Sequence, residues 1–207
     1  MLRLPCVYPI TDRAVAAGRS HADLVELLCR GGARLIQMRD KSAPPDRRLL
    51  AESRAAVAAA RRHGARLILN DRADVAALCG AHGVHLGDED LPASAARALL
   101  GADALIGVST HSVDEAISAA REPVDYVALG PVFTTGHASV SRLPLGVDAV
   151  ARAAASIDLP LVAIGGIDLS RAREVLDAGA ASVAVIGDIM SALDIPARVA
   201  AYLSLRS

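Results

Sequence analysis

The sequence predicts a (β/α)₈ barrel, and three observations predict it. Eight short apolar runs alternate with helical segments along 207 residues, joined by short links. The runs are rich in Val, Ile and Leu without polar alternation, as in parallel strands buried on both faces. None of them is markedly polar, so none reads as the edge strand that an open doubly wound sheet would expose. Eight such units close on themselves, and this length is small but within the range of the barrel. No linker, low-complexity tract or second domain is visible, so 1–207 reads as one barrel domain.

Taken in order, Cys6 to Thr11 is the first strand, interrupted by Pro9, and Ser20 begins a helix through Leu28 that Gly31-Gly32 stops. Leu35 to Met38 is the second strand. Pro44-Pro45 opens a long Ala/Arg helix to His63, with proline where a first turn tolerates it. Leu67 to Leu69, a compact helix at Val75 to Leu78, and Gly83 to Leu86 form the next strand–helix–strand unit. Pro92 starts a helix through Leu100, and Ala104 to Val108 is the fifth strand. Ser112 and Glu115 form a capping box for the following helix. Tyr126 to Leu129 is the sixth strand, followed by a Gly/Thr/Ser loop to about Leu145 and a helix over Val147 to Ser156. Pro160 to Ile164, Asp168 to Ala178, Ser182 to Ile186 and Pro196 to Leu203 complete the alternation.

The composition excludes several function classes. The formal net charge is −1 and the basic residues are scattered, which argues against a nucleic-acid partner. No apolar stretch is long enough to span a membrane, and Met1-Leu2-Arg3 does not open a signal peptide. Cys6, Cys29 and Cys79 are odd in number and sit in apolar segments, the usage of a reduced cytoplasmic protein. Without a CxxC or CxH pattern, a structural zinc site is not expected. Association of identical copies stays open. Of the 22 basic residues only Lys41 is a lysine. A chain this biased toward Arg keeps a Lys by chance, or because a compact point charge is needed, for instance against a phosphate.

Ligands of such a barrel bind beyond the carboxyl ends of its strands. After the second strand, Gln37, Arg39 and Lys41 share one face and Met38 and Asp40 the other. An inward polar group with two cations suits a diphosphate. The competing reading is a strand end in which Arg39 pairs with a nearby Asp. Asp71 and Asp90 follow the third and fourth strands, each just past the end. They converge on a hard cation such as Mg²⁺, or else Asp71 caps the next helix and Gly87 to Asp90 is a solvated loop. Ser109 and Thr110 precede the capping box at Ser112, so helix capping does not explain them. His111 is a candidate acid/base or a structural histidine. Gly165-Gly166 and Gly187 lie in the loops after the seventh and eighth strands, where backbone amides receive a phosphate on this fold. Two anion sites result, one cationic with a metal and one built on glycine.

The motifs YPITD (Tyr8–Asp12), QMRDK (Gln37–Lys41), NDR (Asn70–Arg72), GVHLGDEDLP (Gly83–Pro92), GVSTHS (Gly107–Ser112), GPVFTT (Gly130–Thr135), AIGGI (Ala163–Ile167) and VAVIGDI (Val183–Ile189) run in order along nearly the whole chain. As a set they resemble the thiamine phosphate synthases and their thiazole-tautomerase relatives. The resemblance implies a cytoplasmic, Mg²⁺-dependent transferase. It would join hydroxymethylpyrimidine diphosphate to hydroxyethylthiazole phosphate, giving thiamine phosphate and pyrophosphate. It carries Gln37, Met38, Arg39, Asp40, Lys41, Asn70 and Ser109 into the pyrimidine diphosphate site, with Arg39, Lys41 and Ser109 as catalytic residues. It makes Asp71 and Asp90 the Mg²⁺ ligands, Thr135, Gly166, Ile186 and Gly187 the lining of the thiazole phosphate site, and Gly136 and His137 further substrate-binding residues of the loop after the sixth strand. The implied chemistry is dissociative: the diphosphate leaves and the thiazole nitrogen captures a pyrimidine-stabilised cation. The protein then has to neutralise the leaving group and hold the partners in line, with no nucleophile of its own.

The chain departs from the family pattern in two places. The loop after the sixth strand usually runs Thr-x-Thr-Lys, and here it is Thr135-Gly136-His137-Ala138. Gly187 stands where the family usually has Ser. His137 and Arg142 are the nearest replacements for the missing cation. The tautomerases carry a His after the sixth-strand Gly, and here that residue is Pro131. A synthase is the reading these residues favour; the alternative is a relative that binds phosphorylated thiazole or thiamine without turnover.

Overall fold

The computed structural model describes residues 2–42, 44–135 and 142–206. Eight parallel strands close into a barrel in chain order. They are β1 (Val7–Thr11), β2 (Leu35–Met38), β3 (Arg66–Asn70), β4 (Gly83–Leu86), β5 (Leu105–Thr110), β6 (Tyr126–Leu129), β7 (Leu161–Ile164) and β8 (Ser182–Val185). β1 closes on β8 through Val7↔Val183 and Tyr8↔Ala184, so no edge is left and the open doubly wound sheet is excluded. The outer ring is α1 (His21–Arg30), α2 (Asp46–Arg62), α3 (Ala73–Cys79), α4 (Ala93–Leu100), α5 (Val113–Ala119), α6 (Val147–Ser156), α7 (Leu169–Asp177), a short α8 (Gly187–Met190) and α9 (Ile195–Leu203).

The strand runs look uniformly apolar because their two faces meet two different cores. Outward side chains such as Ile36, Leu67, Val84, Ile106 and Val127 pack under the helices. Inward side chains, among them Tyr8, Ile10, Leu35, Ile68, Leu105 and Tyr126, fill the barrel. The period-2 rule of a strand makes this division automatic. Gly107 faces inward beside Tyr126. A Cβ there would sit 2.0 Å from Tyr126 Cζ, so the glycine makes room for the ring. Space lost at one position is filled by bulk at its neighbour, which keeps the interior at crystal-like density.

Several element ends differ from the sequence reading. Pro45 lies outside α2, which begins at Asp46. Ser20 is the cap of α1 rather than its first turn, accepting from the Asp23 N–H. β5 continues through Ser109 to Thr110, because both residues remain paired with β6. The capping box at α5 is only half formed. Ser112 accepts from the Glu115 N–H, but the Glu115 carboxylate takes the His111 N–H at 2.7 Å instead of returning to Ser112. α8 escaped the sequence reading, since its four residues are too few to show a period.

Candidate active site

A cavity of ≈ 850 Å³ opens at the carboxyl ends of the strands. Of the residues singled out in the sequence, Gln37, Arg39, Lys41, Asn70, Asp71, Asp90, Ser109, Thr135, Gly166, Ile186 and Gly187 line it. Gly136, His137 and Ala138 lie outside the described residues. Met38 and Asp40 need correction as side-chain contacts. Strand parity turns Met38 into the core under the helices, and the Asp40 carboxylate bonds to Ser42 and His21 behind the strand.

On the β2 side, Arg39 Nη1 lies 2.6 Å from Asp12 Oδ2. Arg39 thus pairs with an Asp from the end of β1, not one near it in sequence, and it also lines the cavity. Lys41 Nζ lies 2.6 Å from Asp71 Oδ2. Asp71 does not cap α3, whose capping position is Arg72 without a side-chain bond. Its backbone is instead held at φ 65°, with its N–H on the His85 carbonyl at 2.8 Å. A non-glycine residue kept in the left-handed region marks a constrained position.

Asp90 Oδ2 accepts the Gly87 N–H at 2.6 Å, which folds the acidic turn back toward the barrel. Burial pushes the Asp90 carboxyl above the usual range. The Gly87 N–H opposes this, and the neighbouring Asp71 charge adds to it. Two carboxylates from consecutive strand ends thus lie close together beside the Lys41 ammonium, and their oxygens are the donor type that a divalent hard cation takes. The described residues also hold one three-membered group of metal-capable side chains, His21, Asp40 and Glu52, beneath β2. The Glu52 carboxylate there is already engaged by Arg13 and Arg48.

The floor of the cavity is a hydrogen-bonded chain that the sequence reading missed. Gln37 Nε2 donates to Tyr8 Oη at 3.3 Å, and Tyr8 Oη lies 3.1 Å from Tyr126 Oη. Tyr126 Oη lies 3.1 Å from His85 Nδ1, and His85 Nε2 lies 2.9 Å from Ser109 Oγ. The rings of Tyr8 and Tyr126 meet edge to face at 84°. The signal was a polar His inside an apolar run, at the inward parity of β4. Burial pushes His85 down to about 4, against the pull of Asp71.

His85 gives a stability prediction. The unfolded chain binds a proton at His85 near pH 6.5, whereas the native state resists until about pH 4. Between these values the unfolded state holds more protons, so stability falls as pH drops from 6.5 toward 4. The loss from this residue approaches about 3 kcal/mol at the low end. Urea unfolding at several pH values should show that slope, and His85→Gln should reduce it. An unchanged slope in the variant contradicts a buried neutral His85.

The opposite wall is glycine-built. A Cβ on Gly166 would lie 2.4 Å from the Thr134 carbonyl and one on Gly165 2.6 Å from Pro131 Cα. These glycines therefore serve the close approach of the β6 loop as well as any anion. The loop is tied to β7 by Val132 N–H to Ile164 O and Phe133 N–H to Gly165 O. Arg171 stacks over Phe133 at 4.9 Å and donates to the Gly166 carbonyl. Ile186 turns the chain after β8, and Gly187 opens α8, whose first-turn N–H groups have no intrahelical acceptor. Arg142 reaches Asp88 at 3.4 Å, and His111 Nδ1 lies 3.4 Å from the same carboxylate.

The thiamine monophosphate synthase family model matches residues 7–189. The chain belongs to this family. It is 39% identical to a thiamine-phosphate synthase of Chloroflexus aurantiacus, over 92% of this chain and 88% of that one. It is 43% identical, over 94% of its own length, to a bifunctional thiamine biosynthesis protein of Symbiobacterium thermophilum, and spans 41% of that longer protein. The solved thiamine phosphate pyrophosphorylase from Pyrococcus furiosus superposes with a TM-score of 0.86 at 34% identity, covering 96% of this chain and 94% of that one. The motifs found along the chain are thus those of its family, on the family's barrel. Among the described residues no helix is long and apolar enough to cross a membrane.

Proposed function

We propose that the chain is a thiamine phosphate synthase, joining hydroxymethylpyrimidine diphosphate to hydroxyethylthiazole phosphate with release of pyrophosphate. The observation that carries this reading is one cavity with two unlike anion walls. Arg39, Lys41 and the facing carboxylates Asp71 and Asp90 form one, and the Gly166 and Gly187 loops form the other. Gln37 and Ser109, fixed by the buried chain between them, supply directional hydrogen bonds for the pyrimidine. Arg39 and Lys41 neutralise the departing diphosphate. The Thr135, Gly166 and Gly187 segments hold the second phosphate, so that the thiazole nitrogen lies in line with the breaking bond.

Asp71 and Asp90 would hold Mg²⁺, which supplies charge stabilisation to the diphosphate oxygens when bound. Three buried free cysteines suit a reducing compartment, and we place the chain in the cytoplasm. Calorimetric titration tests the two-wall arrangement. Pyrophosphate should bind only with Mg²⁺ present, and thiazole phosphate should bind independently of it. Competition between the two anions for one site would contradict this assignment.

A further inference from the structure

Behind the cationic wall lies a buried hydrogen-bonded chain whose side chains, from Thr11, His21, Asp40 and Ser42, do not line the cavity. The Arg39 N–H points at Thr11 Oγ1 at 3.4 Å. Thr11 Oγ1 lies 2.8 Å from His21 Nδ1, and His21 Nε2 lies 3.4 Å from Asp40 Oδ2. The Asp40 carboxylate also receives the Ser42 N–H at 2.9 Å and the Ser42 hydroxyl at 2.5 Å. Thr11 and His21 are wholly buried.

The donors and acceptors of this chain can be satisfied in one direction. A carboxylate only accepts, so Nε2–H donates to Asp40 and Nδ1 is left as an acceptor. Thr11 then donates its hydroxyl proton to Nδ1 and keeps a lone pair for the Arg39 N–H. Protonation at Nδ1 would turn that bond around and leave the Thr11 proton without its acceptor in a buried site. Its surroundings keep the imidazole neutral. His21 is the first residue of α1, where the helix dipole disfavours positive charge. Burial also lowers its proton affinity more than the Asp40 charge raises it. Glu52 is the other carboxylate near the ring, and Arg13 and Arg48 already engage it.

We propose that Thr11 and His21 are positioning residues for the diphosphate wall, pinning the backbone of Arg39 and the side chain of Asp40 from behind. Adjacent residues on an extended chain face opposite ways. Fixing Asp40 outward therefore aims Arg39 and Lys41, on either side of it, into the cavity. The device joins β1, the start of α1 and the end of β2, so the two cations are held by elements distant in sequence. This inference rests on the reading that Arg39 and Lys41 receive the diphosphate.

The test is titration of pyrophosphate with Mg²⁺, and separately of thiazole phosphate, into wild type, Thr11→Val, His21→Phe, the double variant and Arg39→Gln. Thr11→Val and His21→Phe should each weaken pyrophosphate about tenfold, the scale of one lost buried bond. They should leave thiazole phosphate affinity unchanged. The double variant should be no worse than His21→Phe alone, because both act through one chain. Equal weakening of both anions would show a general loosening and overturn the proposal. So would pyrophosphate affinity within twofold of wild type in both single variants while Arg39→Gln is impaired. An unimpaired Arg39→Gln overturns the diphosphate reading itself, and the proposal with it. Should His21→Phe fail to fold, the near-isosteric Thr11→Val decides alone.

Discussion

Asp71→Ala and Asp90→Ala should each lower turnover by about a hundredfold or more while the protein remains folded. The magnitude follows from the several kcal/mol that a cation on phosphoryl oxygens contributes to the transition state. The retained fold follows from position. Asp71 and Asp90 sit in turns beyond β3 and β4, outside both apolar cores. Asp90→Ala loses the Gly87 N–H bond and Asp71→Ala loses the Lys41 pair and places Ala at φ 65°, so each should cost about 1 kcal/mol of stability without unfolding the barrel. The measurement is thermal unfolding beside a turnover assay over a Mg²⁺ series. Near-wild-type turnover in both variants would remove the metal assignment, and a shared collapse of the melting temperature would make the pair structural.

Lys41→Arg should reduce pyrophosphate affinity and turnover by about tenfold, although the charge is kept. Lys41 Nζ is placed as a point charge 2.6 Å from Asp71 Oδ2, in a chain that otherwise uses only arginine. A planar fork at that spot has to displace Asp71, which the φ of 65° and the bond to His85 hold in place. A Lys41→Arg protein that binds and turns over like wild type would make the lone lysine a surviving surface residue.

The barrel was legible because its strands are short, apolar and evenly interrupted, and strand parity then assigned Gln37, Arg39 and Lys41 to one face correctly. The same parity argues against Met38 and Asp40 as cavity side chains, a consequence that a motif carried over as a block conceals. Tyr8, His85 and Tyr126 were legible in principle, as polar groups at inward positions of β1, β4 and β6. Their mutual bonds were not, because they depend on which strands become neighbours across the interior. Asp71's left-handed backbone and the pairing of Arg39 with Asp12 are tertiary facts with no local sequence signal. Gly165 and Gly166 read as anion-loop glycines, and the structure adds the second reason, close packing against the β6 loop.

Most residues that the family resemblance singles out line one cavity, and the altered loop is where that comparison stops. Thr135 lines the cavity, while Gly136, His137 and Ala138 fall outside the described residues. Arg142, the other candidate for the missing lysine's role, lies 3.4 Å from Asp88 beside the acidic turn.

The most direct measurement is incubation of the purified chain with hydroxymethylpyrimidine diphosphate, hydroxyethylthiazole phosphate and Mg²⁺, followed by mass determination of the products. The account predicts thiamine phosphate and pyrophosphate in equal amounts, dependent on both substrates and abolished by chelation of the metal. Intact substrates after prolonged incubation, with both still bound by the protein, would contradict synthase activity and leave a binding protein on the family's barrel.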